Sequence, residues 1–102
     1  MAERDINVEI LNNVKKYINE ISKYYNIQEV YLFGSYAKGK AVSMSDVDIM
    51  ICSDITGFDY FGLLEELREE LHKKVDLIPL NDIEHGSKLM LEILKTGTKI
   101  YG

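Results

Sequence analysis

Two aspartates one residue apart, Asp46 and Asp48, are the side chains best placed by type and spacing to do chemistry. They lie in Ser45-Asp46-Val47-Asp48, at the head of the apolar run Ile49-Met50-Ile51. Strand side chains alternate faces, so both carboxylates point one way while Val47, Ile49 and Ile51 point into a core. Neighbouring carboxylates repel unless a cation sits between them, and hard divalent metals such as Mg2+ take oxygen ligands of this kind. Aspartate is also depleted in strands, which weakens the alternative of two idle acids on an exposed edge. Upstream, Val30-Tyr31-Leu32-Phe33 stops at Gly34-Ser35. Glycine allows close approach to the backbone, and such a turn offers N–H groups and a hydroxyl to a phosphate. The stretch therefore reads as a metal–nucleotide site, with phosphates at Gly34 and Ser35 and metal at Asp46 and Asp48.

A third carboxylate, Asp76, interrupts the apolar run Val75-Asp76-Leu77-Ile78. A lone aspartate inside such a strand calls for a partner or a metal, the alternative being a solvent-facing position. If its strand pairs beside that of Asp48, Asp76 reaches the same metal. Lys38 and Lys40 are candidates for offsetting phosphate charge, with a solvated turn as the competing reading. Residues 34–40 also fit G-x-x-x-x-G-K, but Ala41 has no oxygen for Mg2+, and an acidic strand rather than a long helix follows. A P-loop is thereby disfavoured. His72 and His85 are each isolated, which makes them weak zinc ligands and better read as a helix-end charge and a surface residue. Cys52 reads as a small buried hydrophobe, and Tyr36, beside the site, as facing either a nucleotide or a partner.

These groups need elements to hold them. Leu11, Val14, Ile18, Ile21 and Tyr25 recur at helical spacing and predict a first helix over residues 7–24, capped by Asp5 or Asn7 and stopped at Asn26. Strands are expected at 28–33 and 46–52, joined by a tight turn containing at most one helical turn. A helix capped by Asp59 follows, with Tyr60, Leu63, Leu64, Leu67 and Leu71 buried and its acidic run solvated. A third strand covers 75–78. Asn81 and Glu84 resemble a capping box opening a last helix, whose apolar face is Leu89, Met90, Ile93 and Leu94 and whose stop is Gly97. Residues 98–101 return as a short edge strand. The expected fold is α/β: one domain over residues 1–102, a twisted mixed sheet of three to four strands with helices packed on one face.

At 102 residues, 46% hydrophobic and 28% charged, the composition is that of a globular domain with one core. The net charge of −5 is the wrong sign for direct nucleic-acid binding. No apolar run approaches a membrane span, and a single cysteine points to a reducing, cytoplasmic setting.

Gly34-Ser35, Gly39 and Ser45-Asp46-Val47-Asp48 together resemble the signature of the nucleotidyltransferase superfamily that includes DNA polymerase beta. The wording Gly-Ser-Tyr-Ala-Lys-Gly-Lys-Ala resembles its minimal members, small prokaryotic proteins paired as antitoxins with a HEPN-domain toxin. The resemblance implies a small nucleotidyltransferase fold and two Mg2+ ions on Asp46, Asp48 and Asp76, with Asp76 taking the proton of the attacking hydroxyl. It implies that ATP is the substrate and that AMP passes to a hydroxyl, a tyrosine of the HEPN partner. Many members carry arginine where this chain has Lys38. A different class of function stays open: a binding module that silences its partner by occlusion alone.

Overall fold

A computed structural model describes residues 6–102. In chain order the elements are α1 (Ile6–Ile21), β1 (Ile27–Phe33), α2 (Gly34–Ala37), β2 (Val47–Ser53), α3 (Gly57–Leu71), β3 (Val75–Pro79), a 3-10 turn (Leu80–Asp82), α4 (Lys88–Thr96) and β4 (Thr98–Tyr101). The four strands form one sheet in the order β3-β2-β1-β4. β1 runs antiparallel to both β2 and β4, whereas β2 and β3 are parallel. Parallel neighbours need a long crossover, and α3 supplies it.

The first face of the sheet carries Val30 and Leu32 from β1, Val47, Ile49 and Ile51 from β2, and Val75 and Leu77 from β3. Against it lie Ile10, Val14, Ile18 and Ile21 of α1 and Leu63, Leu67 and Leu71 of α3. The 3.6-residue spacing of these side chains makes one stripe per helix, so each helix needs only one sheet face to bury. Across that layer the Tyr17 hydroxyl donates to Glu66 at 2.5 Å, linking α1 to α3.

The other face is apolar too, and this corrects the expectation of helices on one side only. Phe33 and Met50 point away from the first core and pack with Ile83 and with Ile93 of α4. A sheet with apolar residues on both faces needs cover on both, and α4 provides the second layer.

Several ends differ from expectation. α1 stops at Ile21, where the Tyr24 and Tyr25 N–H groups fold back onto its carbonyl. Asp5 lies outside the described residues, and Asn7 sits inside α1, its Oδ1 accepting from the Ala41 N–H at 3.1 Å. α3 starts earlier, after Thr56, which places Asp59 in its first turn rather than at its cap. Asn81 belongs to the 3-10 turn, and Ser87 caps α4 instead, accepting from the Met90 N–H at 3.2 Å. Leu94, expected on the buried face of α4, is 72% exposed. Gly97 does end α4, but with extended backbone rather than a left-handed turn. Glycine is needed there because a Cβ would lie 2.4 Å from the Ile93 carbonyl oxygen.

Candidate active site

The site forms at one end of the sheet, where β1 finishes and β2 and β3 begin. Phe33, the last residue of β1, is the register partner of Asp48. The chain must then leave the sheet at once, and Gly34 does so with φ +73°, a left-handed conformation that favours glycine. The same glycine faces the acid, because a Cβ on it would fall 2.2 Å from Asp48 Oδ2. Absence of a side chain at position 34 thus lets the turn bend and leaves room for the carboxylate. Ser35 follows in the single turn of α2, half-buried, with its carbonyl accepting from the Lys40 N–H at 2.9 Å. A helix of four residues is not the long helix that a P-loop requires.

Asp48 and Asp76 are register partners across the parallel β2–β3 pair, so their side chains leave the same face. That is the face away from Ile49 and Leu77. Asp46 precedes β2 by one residue. Beyond it the Val47 N–H donates to the Lys74 carbonyl at 2.9 Å, which fixes the start of the pairing. Ser45 holds the preceding turn, its Oγ accepting from the Val42 N–H at 2.9 Å. Lys73 Nζ donates to the Ser43 carbonyl at 2.8 Å from the other side. Asp46 also borders a cavity of about 350 Å3 that His72, Lys73 and Lys74 line in part.

The Asp48 carboxyl is pushed up to about 6. Burial is the largest cause, followed by the charges of Asp76 and Asp46, a hydrogen bond with Asp76, and the charge of Glu92. Asp76 itself is exposed, so the apolar strand around it did not signal burial. Among the described residues, no group of three acidic, histidine or cysteine side chains is arranged to hold a metal ion as it stands. Three carboxylates drawn together repel unless a proton or a cation offsets their charge.

Sequence reasoning missed Glu92. It is the lone acid of α4, set in Leu91-Glu92-Ile93, and that isolation was the available signal. Its Oε1 stands 2.6 Å from Lys38 Nζ. Tyr36 does not face a nucleotide or a partner: it is 3% exposed and sits in the first core, with Lys73 Nζ 5.9 Å from its ring centre. Cys52 is only half-buried, its Sγ donating to Gln28 Oε1 at 3.0 Å. His72 ends α3 in a left-handed conformation, as a helix-end residue, and His85 is exposed. Among the described residues no helix is long and apolar enough to cross a membrane.

The family model "Polymerase beta, Nucleotidyltransferase" matches residues 15–102. "Putative protein adenylyltransferase MJ1379" of Methanocaldococcus jannaschii is 37% identical over 76% of this chain and 78% of its own length. A chain in a crystal structure of a toxin–antitoxin with AMP-PNP has a TM-score of 0.69 at 25% identity, over 90% of this chain and 73% of that one. A chain in the structure of a tri-AMPylated Shewanella oneidensis HEPN toxin with its MNT antitoxin shares the fold. Its TM-score is 0.63 at 22% identity, over 94% of this chain and 72% of the other.

Proposed function

The chain belongs to the polymerase beta nucleotidyltransferase family, and from that premise we propose that it moves AMP from ATP to a protein hydroxyl, a tyrosine of a HEPN toxin, and so serves as the antitoxin. The observation that carries this reading is the pairing of Asp48 with Asp76 beneath the glycine turn that bears Ser35. The relative named as a protein adenylyltransferase and the similarity to a toxin–antitoxin with AMP-PNP support it.

The donors fit a hard divalent cation, being oxygens only, mutually repelling, and including one carboxylate that is costly to ionise. Asp46, Asp48 and Asp76 would hold Mg2+, two ions between them. Bound there, magnesium makes the acceptor hydroxyl more acidic and offsets the charge of the departing pyrophosphate. The residues of the chain supply the rest. The Gly34 turn and the Ser35 hydroxyl hold the β- and γ-phosphates by backbone and side-chain hydrogen bonds. Asp76, the exposed acid of the group, takes the acceptor proton as the acceptor oxygen bonds to the α-phosphorus and the bond to pyrophosphate breaks. One domain carries all of this, since α1 and α3 share a core with all four strands. A lone half-buried thiol, Cys52, suits a reducing cytoplasm.

One observation favours the second reading, an antitoxin that only occludes its toxin: the acids as they stand do not form a ready metal group among the described residues. Transfer of labelled AMP from ATP to the purified toxin separates the two. Transferase function requires labelling by the wild type and none by Asp46→Asn/Asp48→Asn. Asp76→Asn should still bind ATP but fail to transfer. A wild type that inhibits the toxin without labelling it, with the double variant inhibiting equally, establishes occlusion instead.

A further inference from the structure

Lys38 leaves the end of α2, four residues past Gly34, and its ammonium reaches across to Glu92 of α4 at 2.6 Å. Both side chains are about one-third exposed, at 38% and 34%, so the pair stands at the mouth of the site rather than in the core. Glu92 also bears on Asp48 through its charge, which places the pair beside the carboxylate group. Ile93, the next residue, is buried against Phe33 and Met50, so the helix that carries Glu92 is anchored to the strands that carry the site. The position of Glu92 therefore follows that of Asp48.

An exposed ion pair contributes little to stability, so folding alone gives this one little to do. A lysine side chain unrestrained in a polar turn has many rotamers and loses that freedom on being fixed by a ligand. A carboxylate that already restrains the ammonium at the mouth reduces that loss. We propose that Glu92 is a positioning residue for nucleotide binding: it holds Lys38 where the ammonium meets the β- and γ-phosphates of the triphosphate. This inference rests on the nucleotide-transfer reading of the same site.

The sign of the effect separates positioning from simple repulsion. Glu92 is an anion near the expected phosphates, so removing its charge would by electrostatics alone tighten ATP binding. Positioning predicts the opposite. Binding of ATP, ADP and AMP in the presence of Mg2+ is measured by calorimetry on the whole chain. Lys38→Met should weaken ATP about 10-fold or more, the loss of one charge-assisted hydrogen bond. Glu92→Gln should weaken ATP about 3- to 5-fold, and ADP similarly, while AMP is unmoved because the lost contact lies beyond the α-phosphate. In the Lys38→Met background, Glu92→Gln should cause no further loss, and Lys38→Arg should keep wild-type affinity. Glu92→Gln binding ATP as tightly as the wild type or more tightly overturns the inference. So does a loss of affinity that is equal for AMP and ATP, which would mean general damage to the site. A wild type that neither binds Mg-ATP nor labels a toxin sinks the functional reading and the inference with it. Wild-type labelling with unaltered Glu92→Gln affinity sinks the inference alone.

Discussion

The Asp48 carboxylate is held in the folded protein against its own preference. The native state keeps the Asp48 proton up to about pH 6, whereas the ordinary value is 3.8. Between those values the folded protein binds more protons than the unfolded chain, so this group's contribution to stability falls as pH rises through that window. Asp48→Asn removes the cost. In thermal melts without metal, the variant should exceed the wild type at pH 7 by on the order of 1 kcal/mol, allowing for solvent screening, and the two should converge below about pH 4. A variant no more stable than the wild type at neutral pH would show that ionised Asp48 is not under strain. Gly34 belongs to the same unit. Gly34→Ala puts a side chain into left-handed backbone, at roughly 1–2 kcal/mol, and sets its Cβ 2.2 Å from Asp48 Oδ2. In urea unfolding it should cost more in the wild type than in an Asp48→Ala background, where the near oxygen is gone. Equal costs would mean that the close approach does not matter.

At the scale of elements, α4 is the piece whose placement decides the most. Its one fully buried side chain is Ile93, and truncation to alanine should cost about 2–4 kcal/mol, because Phe33 and Met50 would line the cavity left behind. The cap is smaller: Ser87→Ala removes the acceptor for the Met90 N–H and should cost about 1 kcal/mol. Gly97→Ala forces its Cβ against the Ile93 carbonyl, a backbone atom that cannot swing aside, and overpacking of this kind costs typically 1–3 kcal/mol. Denaturant midpoints rank the three: a Ser87→Ala loss exceeding that of Ile93→Ala would mean that α4 is held by its end rather than by its packing. The extent of α4 was not readable from local signals. Asn81 with Glu84 and Ser87 alone are both sound caps, and only the carriage of the chain out of β3 through a 3-10 turn selects the second. Leu94 shows the same limit. It keeps helical spacing with Met90, yet it lies outside the cluster that Ile93 makes with Phe33 and Met50 and stays exposed.

For the whole molecule, nucleotide and metal should act together. Mg2+ with ATP should raise the melting temperature more than either alone, since ligand binding to the folded state stabilises by mass action and carboxylates that repel are relieved by a cation. Asp46→Asn/Asp48→Asn should lose that extra shift, and a full shift in the double variant would place the nucleotide elsewhere. What the sequence by itself determined here is the set of strands, the two stripes of α1 and α3, and the spacing Gly34-Ser35…Asp46-Val47-Asp48. Each follows from a period or a motif confined to neighbouring residues, and the backbone has few ways to satisfy it. What only the tertiary structure decided is between elements. Pairing of β2 with β3 put Asp76 beside Asp48, and alternation within a strand cannot state which strand is next door. Packing of Ile93 on Phe33 and Met50 moved α4 to the second face and brought Glu92 to Lys38, 54 residues away in the chain. Such contacts are made by chain reversal and burial, and no local pattern encodes them.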